Sequence, residues 1–363
     1  MKKTLVAVAA MAAVTGALAQ ATIYGNIDQA LTKSRTTVAG TQTKSTTGMS
    51  SYQMGSSQIG FKGEEDLGSG LKASFLHEMG VFTEQNGGDL TRQAYVGLSG
   101  GFGAVRIGKQ YSMSFFNLIG SDPLGATGGT GALYVGNLLL GNQGADGDNP
   151  LRQTNAIQYE APTFIPGVRI GLTKVFNGAD TGDGSKPKAA DSTGYALLYT
   201  SGPLNVGYTS DSIKAQSIAL IKTAPQSSVL NANGTITTTA AVAGVDAAAS
   251  STTKLTTFAA QYDLGMAKLS YSDGKIANNG KGVKSSMTGI SVPMGAATLM
   301  LTSSTGKADT LGAETKFKGA QYGANYALSK RTVAYLHINN STATQRTVST
   351  KVNGYGLGIH HSF

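Results

Sequence analysis

Ser99 lies within the G-x-S-x-G pattern of hydrolases that use a serine nucleophile. That chemistry requires the serine on a sharp turn between a strand and a helix, because such a turn presents the hydroxyl to a substrate. The residues that follow, 104–107 (A-V-R-I), alternate in character and indicate another strand. The pattern therefore does not predict a catalytic serine.

Two other segments resemble parts of metal sites but are incomplete. His77 and Glu78 match the start of the H-E-x-x-H zinc motif, yet Val81 occupies the place of the second histidine. Residues 146–148 (D-G-D) lack the remaining ligands of a calcium-binding loop. The chain also has no cysteine. We therefore expect no metal, no cofactor and no nucleic-acid partner.

The composition is poor in charge and rich in glycine. Charged residues make up 13% of the chain, against roughly 25% in average proteins, and 49 of its 363 residues are glycine. Apolar residues reach 40% but are diluted throughout by serine, threonine, glycine and asparagine. This mixing excludes a helical membrane protein, a coiled coil and collagen. It favours strands on which apolar and polar positions alternate.

The first residues have the features of an export signal. Two lysines precede an apolar run over residues 5–18, and residues 17–19 (A-L-A) form a small-x-small cleavage site. The run is shorter than the roughly 20 apolar residues of a membrane-spanning helix. We expect residues 1–19 to be a signal peptide and residues 20–363 to form the exported protein.

From Thr22 onward, segments of about ten residues alternate in side-chain character, as in membrane-spanning strands. In R-Q-A-Y-V-G-L-S-G, Ala94, Val96 and Leu98 share one face of a strand. Residues 354–363 show the same period of two. Strands in soluble sandwiches are nearer 5–6 residues long, so these lengths indicate a membrane environment.

Seven short turns and eight longer polar stretches separate these segments, which gives sixteen strands. The turns lie at 64–70, 100–103, 162–167, 201–203, 263–265, 293–295 and 328–330, and the longer stretches at 33–50, 82–90, 112–151, 177–191, 213–253, 276–283, 305–314 and 341–350. An even strand number with short turns at one end and long loops at the other is typical of outer-membrane barrels. The predicted fold is all-β, a 16-stranded antiparallel transmembrane β-barrel with short periplasmic turns and long extracellular loops. The Ala/Ser/Thr-rich part of 213–253 is expected to be an exposed loop.

Five stretches carry a more specific pattern: 22–28 (T-I-Y-G-N-I-D), 57–68 (S-Q-I-G-F-K-G-E-E-D-L-G), 92–110, 328–332 (L-S-K-R-T) and 361–363 (H-S-F). In combination they resemble the Gram-negative trimeric general porins of the β-proteobacterial branch. The resemblance implies a homotrimer of barrels, each with a water-filled pore narrowed by the third extracellular loop. It also implies that Phe363 is the signal read by the barrel-assembly machinery.

The narrowing loop corresponds to about residues 112–151. Apolar side chains in this stretch, among them Phe115, Phe116 and Leu118, favour an inward position, because an exposed loop would have little reason to hold them. Loops of such length are usually functional or disordered. A surface loop covering the centre of the trimer is the alternative.

Strand parity predicts a basic wall in the pore. If the apolar residues of each strand face the lipid, alternation places Lys62, Arg106 and Arg152 on the inner face. By resemblance, Arg152 and Arg92 match basic positions of the porin constriction. Arg92 has the parity of outward residues, so it faces the pore only if it lies above the membrane belt or beyond a bulge.

Two acids are expected to oppose this wall, Glu78 in a strand and Asp122 in the loop. Together the two sets of charges would create a field across the narrowing, and an excess of basic groups favours anions. Gln58 stands where anion-selective relatives of this family carry a further arginine, which weakens the basic cluster.

The sequence thus predicts an outer-membrane porin rather than an enzyme. It is expected to let small hydrophilic solutes and inorganic ions diffuse passively, with weak anion selectivity. Its expected partners are two further copies of itself, outer-membrane lipid and the barrel-assembly machinery. A barrel that serves as an anchor or adhesin, or a lipase-like enzyme using one of the histidines, is the alternative.

Overall fold

The computed structural model describes residues 21–51, 53–81, 91–125, 152–176, 191–215, 227–230, 236–239, 251–278, 281–310 and 313–363. Within these ranges the chain forms nineteen strands and one helix. The first half contains β1 Thr22–Val38, β2 Thr41–Ser50, β3 Gln58–Gly68, β4 Leu71–Gly80, β5 Thr91–Gly100, β6 Gly103–Tyr111, α1 Met113–Gly120, β7 Arg152–Glu160, β8 Val168–Val175 and β9 Asp191–Ser201. The second half contains β10 Leu204–Ala215, β11 Ser227–Leu230, β12 Ile236–Thr239, β13 Ser251–Asp263, β14 Lys268–Asn278, β15 Lys281–Met294, β16 Ala297–Thr310, β17 Ala313–Ala327, β18 Thr332–Gln345 and β19 Val348–Ser362.

Seventeen of these strands form one sheet that closes on itself. Consecutive strands pair antiparallel from β3 to β10 and from β13 to β19, β10 pairs with β13, and β1 pairs with β19. On its other side β1 pairs with β3 over residues 22–26 and with β2 over residues 30–38. Because β2 and β3 share one place in the ring, the barrel has sixteen strand positions, as predicted from the sequence.

The alternation in the sequence sorts side chains between the two faces of the wall. Val96 and Ile107 are paired across β5 and β6 and are 61% and 52% exposed on the outside. Gly97 and Arg106 are the next pair and face the interior. The outer face is therefore apolar and the inner face small or polar, which is the arrangement of a barrel in lipid.

Four of the predicted long loops are mostly strand, and these predictions were wrong. In place of the loops at 33–50 and 341–350, the strands continue to two-residue turns at 39–40 and 346–347. The predicted loops at 276–283 and 305–314 are likewise occupied by strand extensions on both sides. In these extensions the outward positions are mostly polar, charged or small, so pairing persists while the apolar alternation is lost.

The stretch 213–253 also contains more structure than predicted. Strand β10 continues to Ala215, β13 begins at Ser251, and β11 and β12 form an antiparallel hairpin. The predicted signal peptide at 1–19 lies outside the described residues. No helix among the described residues is long and apolar enough to cross a membrane.

Candidate functional site

Helix α1 begins directly after β6 and lies inside the barrel. Ser112 is its N-cap, with a side-chain oxygen that accepts a hydrogen bond of 3.1 Å from the N–H of Phe115. Such caps fix the first turn of a helix. The ring of Phe115 stacks on Tyr111 with a centroid distance of 4.1 Å, so the turn from strand to helix is packed as well as capped.

One face of α1 is bonded to the inner wall. The hydroxyl of Ser114 lies 2.7 Å from that of Thr209 and donates to Asp211. The amide of Asn117 donates to the carbonyl of Gly207 at 3.2 Å and to the hydroxyl of Thr257 at 3.0 Å. Buried polar groups need such partners, so the polar inner faces of β10 and β13 position the helix.

The chain continues along the wall after α1. Pro123 lies against Gly289 in β15, and Leu124 against Gly323 in β17; a Cβ at either glycine would come within 2.6 Å of them. Asp122 accepts a hydrogen bond of 3.0 Å from the N–H of Leu124, which closes the turn after the helix. Residues 112–125 therefore cover the inner wall from β8 to β17. The rest of the predicted loop, 126–151, lies outside the described residues.

A second inward segment, not predicted from the sequence, separates β2 from β3. Its N–H groups at Gln53 and Met54 donate to the carboxylate of Asp28, at 2.9 and 3.2 Å. Nδ1–H of His337 donates to the carbonyl of Gln53 at 3.3 Å. The described residues of 51–57, which we call the inner segment, thus lie over the inner faces of β1, β18 and β19.

Asp28 is the centre of the contacts that hold the inner segment. Its side chain is fully buried and also accepts a hydrogen bond of 2.8 Å from the hydroxyl of Tyr335. Nδ1 of His360 lies 3.4 Å from its other oxygen. Its own N–H donates to the hydroxyl of Ser57 at 2.8 Å. The sequence pattern that ends at Asp28 did not indicate this role, because its partners come from both ends of the chain.

Ser362, His360 and Asp28 lie in a row, with Ser362 Oγ 3.3 Å from His360 Nε2. The order resembles the nucleophile, base and orienting acid of a hydrolase. Here, however, Asp28 is engaged by the inner segment and by Tyr335. Among the described residues, no group of three or more histidine, aspartate or glutamate side chains could hold a metal ion.

The wall from β3 to β7 lies between the ends of these two inward segments. Arg92 in β5 faces the interior here, since its Nε donates to Glu78 at 3.0 Å. Glu78 pairs with Gln93 and Met79 with Thr91, so Arg92 is the extra residue of a β-bulge. A bulge changes the face toward which a side chain points. Arg92 could face the pore from above the membrane belt or from beyond a bulge, and the structure shows the bulge.

Tyr111 joins two of the predicted basic residues. Its hydroxyl accepts hydrogen bonds from Arg92 and, at 3.4 Å, from Arg152. Both guanidinium groups also lie near its ring, 5.8 and 5.2 Å from the centroid, within reach of cation–π attraction. Sequence reasoning missed Tyr111, although its position just before the inward loop could have indicated it.

The remaining basic residues lie on the same wall but further apart. Lys62 lies over the ring of Tyr24, with its Nζ 5.0 Å from the centroid. Arg106 lies 3.4 Å from Glu160 and 5.9 Å from the ring centroid of Tyr95. Parity therefore placed both side chains on the correct face.

The prediction that Glu78 lies opposite the basic wall was wrong. Glu78 lies within the wall, next to Arg92, and also accepts hydrogen bonds from Tyr24 at 2.9 Å and Gln58 at 3.1 Å. Parity correctly predicted that Glu78 faces the interior, but could not predict where around the barrel it lies. Asp122 does lie on the inward loop, where its neighbour Pro123 contacts β15.

Phe363 lies at the seam where the barrel closes. Its N–H donates to the carbonyl of Gly25 at 3.0 Å, and its carbonyl accepts from Gly25 at 3.3 Å. Its ring covers Gly25, with Cζ 2.6 Å from where a Cβ would stand. The residue is 46% exposed, on the outside of the barrel.

Comparison with known proteins gives independent support for the barrel architecture. In sequence the chain is 34% identical over 210 residues to outer membrane porin protein 32 of Delftia acidovorans, a match that covers 56% of this chain and 58% of that protein. In structure it matches the anion-selective porin from Comamonas acidovorans with a TM-score of 0.74 and 25% identity, over 95% of this chain and all of that one. A trimer form of the Vibrio cholerae outer-membrane protein OmpT matches with a TM-score of 0.64 and 16% identity, over 95% of this chain and 99% of that one.

The family model described as Gram-negative porin matches residues 7–346, which is most of the chain. The structure is a closed barrel of sixteen strand positions, with an inward loop after β6. The chain belongs to the Gram-negative porins.

Proposed function

We propose that this porin is a passive channel for small hydrophilic solutes and inorganic ions, with a weak preference for anions. The observation that carries the proposal is the Arg92–Tyr111–Arg152 cluster on the wall that faces the inward loop. A basic cluster at a narrow passage attracts anions and repels cations. The Comamonas relative, described as anion-selective, supports the same direction.

The balance of charge on this wall is positive. Arg92 and Arg106 have acidic partners, Glu78 and Glu160. Neither Lys62 nor Arg152 has an acidic partner within ion-pair distance in the part of the chain that the structure describes. Two basic groups therefore act on passing ions without a paired acid, which fits a weak rather than a strong preference.

The narrowing is proposed to have two parts. The loop 112–151 supplies the first, because residues 112–125 are bonded to the inner faces of β10 and β13. The inner segment supplies the second, on the side of β1, β18 and β19. Asp122 acts as the acidic group of the loop side. Glu78 acts within the basic wall and reduces the effective charge of Arg92.

The chain is an outer-membrane protein and not an enzyme, as its family implies, and the adhesin and lipase-like alternatives are not favoured. We propose that it works as a homotrimer, as the trimer form of the Vibrio protein suggests. We further propose that residues 1–19 direct export and that Phe363 is recognised by the barrel-assembly machinery. Outer-membrane lipid then surrounds the apolar outer wall.

Reversal potentials of the purified protein in planar bilayers test the selectivity. A charge about 6 Å from a passing ion changes its free energy by roughly 0.7 kcal/mol in water, or about threefold in occupancy. The anion loses this attraction and the cation loses an equal repulsion, so we expect Arg152→Gln to lower the anion-to-cation permeability ratio by up to about tenfold in dilute salt. Arg331→Gln removes the same charge from an exposed turn and should leave the ratio unchanged.

Salt supplies a second arm of this experiment. Because the screening length falls from about 10 Å at 0.1 M to about 3 Å at 1 M, the difference should fade in concentrated salt. A cation-selective channel, or an Arg152→Gln variant with an unchanged ratio in dilute salt, would contradict the proposal. A protein that forms no channels in the bilayer would contradict the function itself.

Shortening the loop 112–151 tests the narrowing separately. Single-channel conductance and the size limit for sugars in liposome swelling should both rise, because the loop occupies cross-section of the pore. If both stay unchanged, the loop does not set the limit.

A further inference from the structure

Four lysines stand in one line across the outer face of the barrel, at the end where the long loops lie. Lys275 is paired with Lys284, Lys284 with Lys307, and Lys307 with Lys316. All four are exposed, while the residues on either side of each in the chain are less accessible. We call these four residues the lysine row. With neighbouring strands about 4.8 Å apart, the row extends over roughly 14 Å.

This arrangement is unfavourable for the isolated protein. Like charges directly opposite each other destabilise a sheet, and the row contains three such contacts in succession. Glu314 lies 3.2 Å from Lys307 and 3.6 Å from Lys316. No acidic side chain in the described ranges is within ion-pair distance of Lys275 or Lys284. The row therefore keeps an excess of positive charge that an external anion would neutralise.

The height of the row follows from the residues below it on the same face. Six residues nearer the short-turn end, the corresponding line is Leu269, Ile290, Leu301 and Tyr322, which are aliphatic or aromatic and carry no charge. Six residues of strand rise about 20 Å, or roughly 15 Å along the membrane normal at a tilt of 40°.

The change from apolar to charged residues occurs between these two lines. Asp273 and Lys318 are the first charged residues above the apolar line, two positions below the lysine row. Lysine is costly at the middle of a bilayer and nearly free of cost at its interface. The row therefore lies in the headgroup region rather than in the hydrocarbon.

The lysine row borders a groove on the outer wall. The groove has a volume of about 560 Å³, and its lining also includes Tyr271, Asp273, Ser286, Thr305 and Lys318. A groove lined by several ammonium groups and hydroxyls can hold phosphate oxygens, and each ammonium offers three donors.

We propose that the lysine row and Lys318 bind the phosphate groups of anionic lipid in the outer leaflet. The row is continuous with the apolar surface that contacts the acyl chains, so one lipid can occupy both. A lipid with two or more phosphates fits best, because the row offers several ammonium groups in one line. This site is on the outside of the barrel and is separate from the pore.

Native mass spectrometry of the purified protein with lipid A tests the proposal. Lipid A with two phosphates should bind more tightly than the form with one phosphate, and the form without phosphate should bind weakly. Lysines near an anionic surface contribute about 1 kcal/mol each, so Lys284→Gln with Lys307→Gln should weaken binding of the two-phosphate form roughly thirtyfold.

The control removes the same charge at the opposite end of the barrel. Lys330→Gln with Arg331→Gln, in the turn before β18, should bind lipid A as the unchanged protein does. Lys284→Arg with Lys307→Arg keeps the charge and should restore most of the binding. Channel conductance should be the same in all variants, which shows that each one is folded and keeps this test independent of the pore.

Three results would overturn the proposal. One is equal binding of lipid A by the unchanged protein and the Lys284→Gln, Lys307→Gln variant. Another is binding that does not depend on the number of phosphates. The third is complete competition by millimolar inorganic phosphate, which would indicate a general phosphate site rather than a lipid site.

Discussion

The hydroxyl of Tyr335 donates a hydrogen bond of 2.8 Å to the carboxylate of Asp28, a residue 307 positions earlier in the chain. The same carboxylate receives the N–H groups of Gln53 and Met54. Asp28 of β1 and Tyr335 of β18 thus connect the two strands that flank β19, and the same carboxylate holds the inner segment. Closure of the barrel and placement of this segment depend on the same buried group.

Replacement of Asp28 by alanine should therefore affect both stability and conduction. The donors left without a partner would each cost about 1–3 kcal/mol, so the temperature at which the barrel unfolds in detergent should fall. The inner segment should also move more freely, which would appear as increased noise in the open-channel current. Tyr335→Phe removes one of these donors and should have a smaller effect on both measurements. If Asp28→Ala matches the unchanged protein in both, Asp28 does not hold the segment.

A side chain at Gly207 should displace the inward helix. The amide oxygen of Asn117 occupies the place where a Cβ would stand at Gly207. Gly207→Val should therefore lift α1 from β10 and change the single-channel conductance. Gly48→Val is the matched control, because nothing lies within 4 Å of its Cβ position. Equal conductance in the two variants would show that α1 is not fixed by this contact.

Glu78 and Arg92 should have opposite effects on ion selectivity. Their side chains are 5% and 11% exposed and are joined by a hydrogen bond of 3.0 Å. Glu78→Gln leaves the arginine without its acid and should increase the preference for anions, while Arg92→Gln should reduce it. The double variant restores the balance of charge and should be close to the unchanged protein. Reversal potentials in a salt gradient measure all three, and a double variant with the selectivity of either single variant would contradict this balance of charge.

Strand parity was sufficient for the faces of Lys62, Arg106 and Glu78 but not for their neighbours. Alternation with a period of two depends only on adjacent residues, so Lys62 and Arg106 were assigned correctly from parity. The position of Glu78 around the barrel depends on which strands pair and at what register, and parity contains no information on either. The bulge at Arg92 is a shift in pairing and is likewise invisible in a strict alternation.

The inner segment could not be predicted for a related reason. Residues 51–57 (S-Y-Q-M-G-S-S) are mostly small or polar, as surface turns are. Their inward position depends on Asp28, Tyr335 and His337, which lie in strands from opposite ends of the sequence. The extensions of β14 to β17 were missed because outward positions such as Lys307, Asp309 and Glu314 are charged, so the apolar alternation ends before the strands do. The lysine row therefore became visible only once the pairing of these strands was known.

Phe363 allows the last prediction, which separates recognition during assembly from closure of the seam. The backbone of Phe363 makes two hydrogen bonds to Gly25, while its ring is partly exposed on the outside. Phe363→Ala keeps the backbone bonds and removes the ring, whereas deletion of Phe363 removes both. If the assembly machinery reads the ring, both variants should reach the outer membrane at similarly reduced levels, measured on isolated membranes. Refolding of purified Phe363→Ala into detergent should remain efficient, because no machinery takes part. Normal membrane levels of Phe363→Ala, together with reduced levels of the deletion, would instead assign the role of this residue to the seam.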